Sequence, residues 1–324
     1  MKTILIIGCG SIGARHARNA RSLGYEVFLM DPDQARVDAL GAEINAAKQY
    51  TLLDTALEEG KPDAVLIASP SSKHLGQALQ VVSHGVPVCI EKPLATSADG
   101  LQALLELVEE KQVVTMMAQS FRFHETFVKL KSLLSDGVLG TVYHAHFTGG
   151  QYLPDWHPET DYRTEYMARS DQGGGVMFTS KSHTLDFVEW LFGGVTEYTG
   201  FKDRLGSLEI DVDDACFLLM KTVDGVVVYA AFDFLERPHR SVALVVGEKG
   251  RIEVDFIEHT IVTIGVDGAR ESIALSPDTN TRYIEELKHF ASLVDTKTVS
   301  HDLDMVHGKH LVDLMLDPRV RDLS

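Results

Sequence analysis

Gly8-Cys9-Gly10-Ser11-Ile12-Gly13 is the first group of residues in this chain whose types and spacing can do chemistry. Three glycines so spaced, between a strand and a helix, hold a dinucleotide pyrophosphate. The first permits a tight turn, the second lets backbone amides approach the phosphate, and the third lets helix pack closely on strand. Ser11 and Ile12 open the helix, where the macrodipole adds positive potential. Asp31, eighteen residues beyond Gly13, ends the next apolar run. A carboxylate there accepts from adenosine ribose hydroxyls and repels a 2′-phosphate; Asp33 adds a second negative charge. The expected cofactor is NAD rather than NADP. Glu91-Lys92-Pro93 follows a later apolar run, 86–90. Open α/β sheets bind ligands beyond the carboxyl ends of their strands, so Lys92 should point at the nicotinamide end of the cofactor. Partial burial would lower its pKa toward proton transfer. Taken alone, Lys92 reads equally as a surface lysine paired with Glu91.

Positioning these groups requires a sheet, and the first third of the chain provides one. Short apolar runs at 4–7, 27–30, 64–68, 86–90 and 113–117 alternate with helical patterns at 11–23, 33–40, 51–59, 72–84 and 97–111. That rhythm predicts parallel βαβ units in a doubly wound Rossmann sheet over residues 1–120. Beyond 120 the pattern becomes α+β. After a helix near 124–136, β-prone runs follow at 141–148, 215–222, 225–234, 241–246, 251–256 and 260–264. Hairpin turns are expected at Val223-Asp224-Gly225 and Glu248-Lys249-Gly250. A helical stretch, 173–192, interrupts them, and Tyr283, Leu287, Phe290 and Val294 recur at helical spacing. The expectation for 121–324 is one α+β domain on a large, mostly antiparallel open sheet. Residues 149–172 read as a long ordered loop, and long loops are often functional.

Together, Gly8–Gly13, the stretch from Ala68-Ser69-Pro70 to His74, Glu91-Lys92-Pro93, and Gly173-Gly174-Gly175 running to His183 resemble the glucose–fructose oxidoreductase / inositol dehydrogenase / MocA family. The resemblance spans the N-terminal domain and 173–192, and loosens beyond 195. It implies NAD(P)-dependent oxidation or reduction of a sugar, polyol or nucleotide-sugar carbon. Ser69, Pro70, His74 and Glu91 join the cofactor-binding set on this ground, and an open sheet that forms a homodimer or homotetramer interface is implied. Lys92 and His183 would flank the reacting carbon as catalytic residues, and the bond before Pro93 would be cis. Chemistry agrees, because hydride loss from an alcohol leaves a proton that a neutral imidazole can take. In a regular helix Thr179, His183 and Asp186 or Phe187 share one face. Two positions depart from the family pattern. Thr179 stands where an aspartate is usual, and Lys181 replaces a common glycine, adding a charge that would depress the pKa of a nearby His183. Both, with His183 and Lys92, are expected at the substrate.

Substrate selection is expected from Gln151 to Arg163. Tyr152 and Trp156 offer flat faces to sugar rings, and Asp155, His157 and Arg163 offer polar contacts; a packing or oligomer-contact loop is the alternative. Arg122 and Lys181 are candidates to read an anionic group, or simply to form ion pairs. His144 and His146 share a strand face but are too few for a metal site, and no metal is expected. A net charge of −17, from 30 Lys+Arg against 47 Asp+Glu, argues against general nucleic-acid or acidic-membrane partners. The apolar run at 4–7 is too short for a signal segment, and no stretch nears the roughly 18 apolar residues of a membrane span. Three unclustered cysteines, Cys9, Cys89 and Cys216, suit a reducing, cytoplasmic setting. Two other readings remain open: a redox-neutral enzyme using tightly held NAD transiently, and a non-catalytic dinucleotide sensor.

Overall fold

A computed structural model of the chain describes residues 1–317 and 319–322. Contacts divide it into two compact units, one of residues 1–120 and 280–313, the other of 121–279 and 314–324. The first unit opens with β1 (Thr3–Ile7), α1 (Ser11–Ser22), β2 (Glu26–Met30), α2 (Gln34–Ile44), β3 (Lys48–Tyr50) and α3 (Leu53–Glu58). It continues through β4 (Ala64–Ile67), α4 (Ser71–Ser83), β5 (Val88–Glu91), α5 (Leu101–Lys111) and β6 (Thr115–Ala118). All six strands are parallel, in the order β3-β2-β1-β4-β5-β6. Residues 4–7 and 64–67 are essentially without exposure. Strands covered on both faces read as continuous apolar runs, which is why five of the six were legible. β3 was not, because Lys-Gln-Tyr is a short polar edge.

The second unit begins with α6 (Glu125–Ser135) and β7 (Val142–Gly150). The expected long loop follows, ordered by four single 3₁₀ turns between Leu153 and Gln172. Next come a π-helical turn (Met177–Lys181), α7 (Ser182–Phe192), β8 (Val195–Asp203), β9 (Ala215–Thr222), β10 (Val227–Asp233), β11 (Arg240–Gly247), β12 (Gly250–Asp255), β13 (Thr260–Gly265) and β14 (Arg270–Ala274). Both expected hairpins are present, β9–β10 and β11–β12. The sheet has nine strands, antiparallel except for β10 against β7 and the last strand, β15 (Val320–Asp322), against β8. Phe127, Phe147, Phe187 and Phe256 build its core, with ring centroids 4.3–4.9 Å apart.

Two differences from expectation bear on the site. Residues 173–192 are not one regular helix. The π turn carries an extra residue, so Thr179 is rotated from the face that α-helical spacing would share with His183. Also, α8 (Thr281–Thr296) and the start of α9 (Met305–Met315) belong to the first unit rather than to the second half. The Met117 amide donates to Leu303 O, and the Tyr283 ring meets His16 edge-on at 5.7 Å.

Candidate active site

The turn between β1 and α1 has the geometry its glycines predict. Gly8 sits at φ +97°, and a Cβ there would lie 2.7 Å from Ala68 O. A Cβ on Gly13 would fall 1.9 Å from Gly8 O, whereas one on Gly10 would meet nothing within 4 Å. The open side of the turn is therefore at Gly10, which is also the N-cap of α1. No side chain caps that helix, so its first amides face outward without a side-chain acceptor. Asp31 is 6% exposed and braces the turn: its carboxylate accepts from Cys9 N at 2.8 Å and Asp33 N at 2.9 Å. An uncapped helix start, a glycine-faced approach and an acid at the end of β2 fit NAD. The Cys9 thiol stays protonated, since burial pushes its pKa up to about 12.

Lys92 lies just beyond β5, half-buried, before a cis bond to Pro93. Histidines anchor both of its neighbours. His16 Nε2 is 2.8 Å from Glu91 Oε1, while His74 Nδ1 and Nε2 are 2.7 and 2.8 Å from Pro93 O and Ser69 O. Glu91 and His74 are buried, and these contacts tie both to other parts of the chain. Ser69 bonds Gln77 Oε1 at 2.6 Å, and Pro70 stays exposed as the N-cap of α4. Burial lowers the pKa of Lys92; the Glu91 carboxylate works against that and Arg282 adds to it. Sequence reading missed His16 and Glu286, which with Glu91 offer ligand atoms all within 4.8 Å of one another. His16 had a signal, three residues past Gly13 on the inner side of α1. Glu286 had none.

In the second unit His183 is partly exposed, its ring stacked on Phe121 at 4.3 Å and 25°. Phe121 stacks in turn on Phe127 at 4.9 Å, a support that spacing did not reveal. Thr179 is buried, and its hydroxyl donates to Gly175 O at 2.7 Å. Arg122 is bound to Asp186 by a bidentate ion pair of 2.8–3.1 Å, both partners buried. Lys181 is 1% exposed, with Cys216 and Asp233 as its electrostatic neighbours.

The 151–163 loop spends much of its polar and aromatic surface on itself. The Arg237 guanidinium covers the Tyr152 ring at 3.4 Å. Trp156 meets Phe234 edge-on at 5.3 Å and donates to Gln151 O. Arg163 pairs with Asp161 and Glu209, and His157 lies 3.6 Å from Glu165. Arg237 thus covers one face of the Tyr152 ring, while His157 and Arg163 stay exposed. His144 and His146, 5.0 Å apart, sit on β7 as expected.

Residues 2–119 match the family model described as an oxidoreductase family with an NAD-binding Rossmann fold, and residues 127–253 match that of the GFO/IDH/MocA C-terminal domain. The chain is 26% identical over 306 residues to the scyllo-inositol 2-dehydrogenase (NAD(+)) of Bacillus subtilis (strain 168), covering 89% of this chain and 85% of that protein. It is 27% identical over 281 residues to the 2,7-anhydro-N-acetylneuraminate hydratase of Mediterraneibacter gnavus, covering 84% and 72%. The solved structure of levoglucosan dehydrogenase with NADH and L-sorbose shares the fold, with a TM-score of 0.86 over 97% of this chain and 95% of that one at 14% identity.

Proposed function

The chain belongs to the GFO/IDH/MocA family of NAD-binding oxidoreductases, and from that premise we propose that it oxidises or reduces a hydroxyl-bearing carbon of a sugar, polyol or nucleotide sugar. Bound NAD supplies the hydride acceptor. His183 takes the hydroxyl proton on an imidazole whose ring plane Phe121 holds. Lys92 binds the substrate oxygen and, with a pKa lowered by burial, shares in the proton's movement. The observation that carries this reading is Lys92 itself: a lysine just past a Rossmann strand, between two histidine-anchored neighbours, in the unit that holds the glycine turn.

The test follows absorbance of reduced nicotinamide with NAD or NADP and a panel of polyols, free sugars, uronic acids and UDP-sugars. NAD-linked turnover is expected, with losses of about 10²-fold or more in kcat/KM for Lys92→Met and for His183→Ala. Near-normal rates in both variants would remove them from the chemistry, and NADP preference would overturn the role given to Asp31. A second reading, redox-neutral turnover on retained NAD, has one observation in its favour. Thr179 supplies a hydroxyl tied to Gly175 O and no carboxylate. Turnover without added NAD would favour it, and NAD binding without any turnover would leave a sensor.

We further propose a homodimer or homotetramer built on the nine-stranded sheet. Thr199, Leu219, Tyr229, His146 and Leu244 form one cross-strand row on a single face. Leu219 is 49% and Tyr229 37% exposed there, with Phe201 and Val227 alongside. Several large apolar side chains exposed on one sheet face support association. A reducing, cytoplasmic setting is proposed from three buried thiols, none in a disulfide.

A further inference from the structure

His74 faces more acceptors than a neutral imidazole has protons for. Its Nδ1 lies 2.7 Å from Pro93 O and its Nε2 2.8 Å from Ser69 O. A carbonyl oxygen only accepts, and a neutral imidazole has one N–H and one bare lone pair. One of the two contacts would then set lone pair against lone pair, in a ring 1% exposed and beyond the relief of bulk water. His16 makes the contrast: it has one acceptor, Glu91, at Nε2 and no partner at Nδ1, so a single proton serves it.

We propose that His74 is an imidazolium in the folded protein, donating to both carbonyls and clamping the turn after β4 to the residue that follows Lys92. Burial, the largest effect, pulls the ring's pKa below that of a free imidazole, and the Lys92 ammonium adds to it, while the two carbonyls and the Glu91 carboxylate act the other way. Against that pull stands the lone-pair clash that a neutral ring would make with one of the two carbonyls. The Glu91 anion is available without the His74 charge, because Glu91, though buried, is held below the usual carboxylate range chiefly by its hydrogen bond with His16 and then by the Lys92 ammonium. The clamp positions Lys92 by fixing the backbone beyond it. Its cation also favours the neutral amine on Lys92, a consequence that rests on the role proposed for that residue.

The decisive measurement is ¹⁵N NMR of the full chain labelled at histidine. The His74 signals are assigned by their absence in His74→Gln, or by site-specific labelling if that variant does not fold. Both ring nitrogens should carry protons in the folded protein at neutral pH. One nitrogen in the unprotonated range throughout would overturn the proposal, whatever the enzyme does. The kinetic arm is His74→Gln, which removes the charge and leaves one donor and one acceptor. The limb of the kcat/KM pH profile that Lys92→Met abolishes should move up by on the order of one pH unit. An unmoved limb beside a doubly protonated His74 would overturn the influence on Lys92. A profile insensitive to Lys92→Met would instead break the functional reading while the NMR still decides the clamp.

Discussion

Lys181 shows how far a side chain's role depends on where the fold sends it. Its place two residues before His183 suggests a charge that reads a substrate or tunes the imidazole. The π turn instead drives it inward, where burial brings its pKa from 10.5 down to about 8 against the pull of Cys216 and Asp233. The folded value lies below the unfolded one, so between about pH 8 and 10.5 the unfolded chain binds more protons and stability rises with pH. Below about pH 8 the penalty is fully present. Each tenfold loss of proton affinity costs about 1.4 kcal/mol, so the whole penalty is on the order of 3 kcal/mol. Lys181→Met should therefore be more stable by up to that amount at about pH 7, with the gap closing as the lysine neutralises in the folded protein above about pH 8 and gone above about pH 10.5, where it is neutral in the unfolded chain too. Denaturant titrations of both proteins across that range check it. A gap that does not change with pH would show that the ammonium is not penalised as described.

Among elements, α1 separates a glycine needed for packing from one needed for approach. At Gly13 a Cβ would collide with Gly8 O, so Gly13→Ala forces helix and strand apart and should cost about 1–3 kcal/mol of stability. Gly10 has open space, so Gly10→Ala should leave the fold within about 1 kcal/mol and weaken NAD binding by about tenfold or more, by blocking the amides. Thermal melts and NAD calorimetry on both variants distinguish the roles, and an NAD affinity unchanged in Gly10→Ala would sink the phosphate assignment. The turn and its strands were legible because every residue they need lies within one strand-turn-helix. The break at 177–181 was not. A π turn has no apolar period of its own, and the expected helix concealed it.

For the whole molecule, the apolar row on the nine-stranded sheet predicts the assembly. Leu219→Lys with Tyr229→Lys should yield monomers in light scattering at micromolar concentration while the unpaired chain keeps its melting behaviour. A wild-type chain that is already a monodisperse monomer would end the oligomer proposal. The return of residues 280–313 to the first unit belongs to the same scale. Helical spacing at 283–294 announced the helix, yet an amphipathic face does not say which core it covers, and here it brings Tyr283 and Glu286 to His16.

The sequence by itself determined the parallel Rossmann sheet, the glycine turn after its first strand, the acid at the end of the second, and the position of Lys92 just past another strand. Each follows from residues adjacent in the chain, where stereochemistry and strand burial act locally. Tertiary structure alone decided which charges are free to act. Arg122 is committed to Asp186 across 64 residues and Glu91 to His16 across 75. Lys181 is buried, and both ring nitrogens of His74 are engaged by backbone carbonyls, those of Pro93 and Ser69. Spacing places a side chain on an element; whether its polar atoms meet a ligand or another part of the chain depends on what packing brings within about 3 Å.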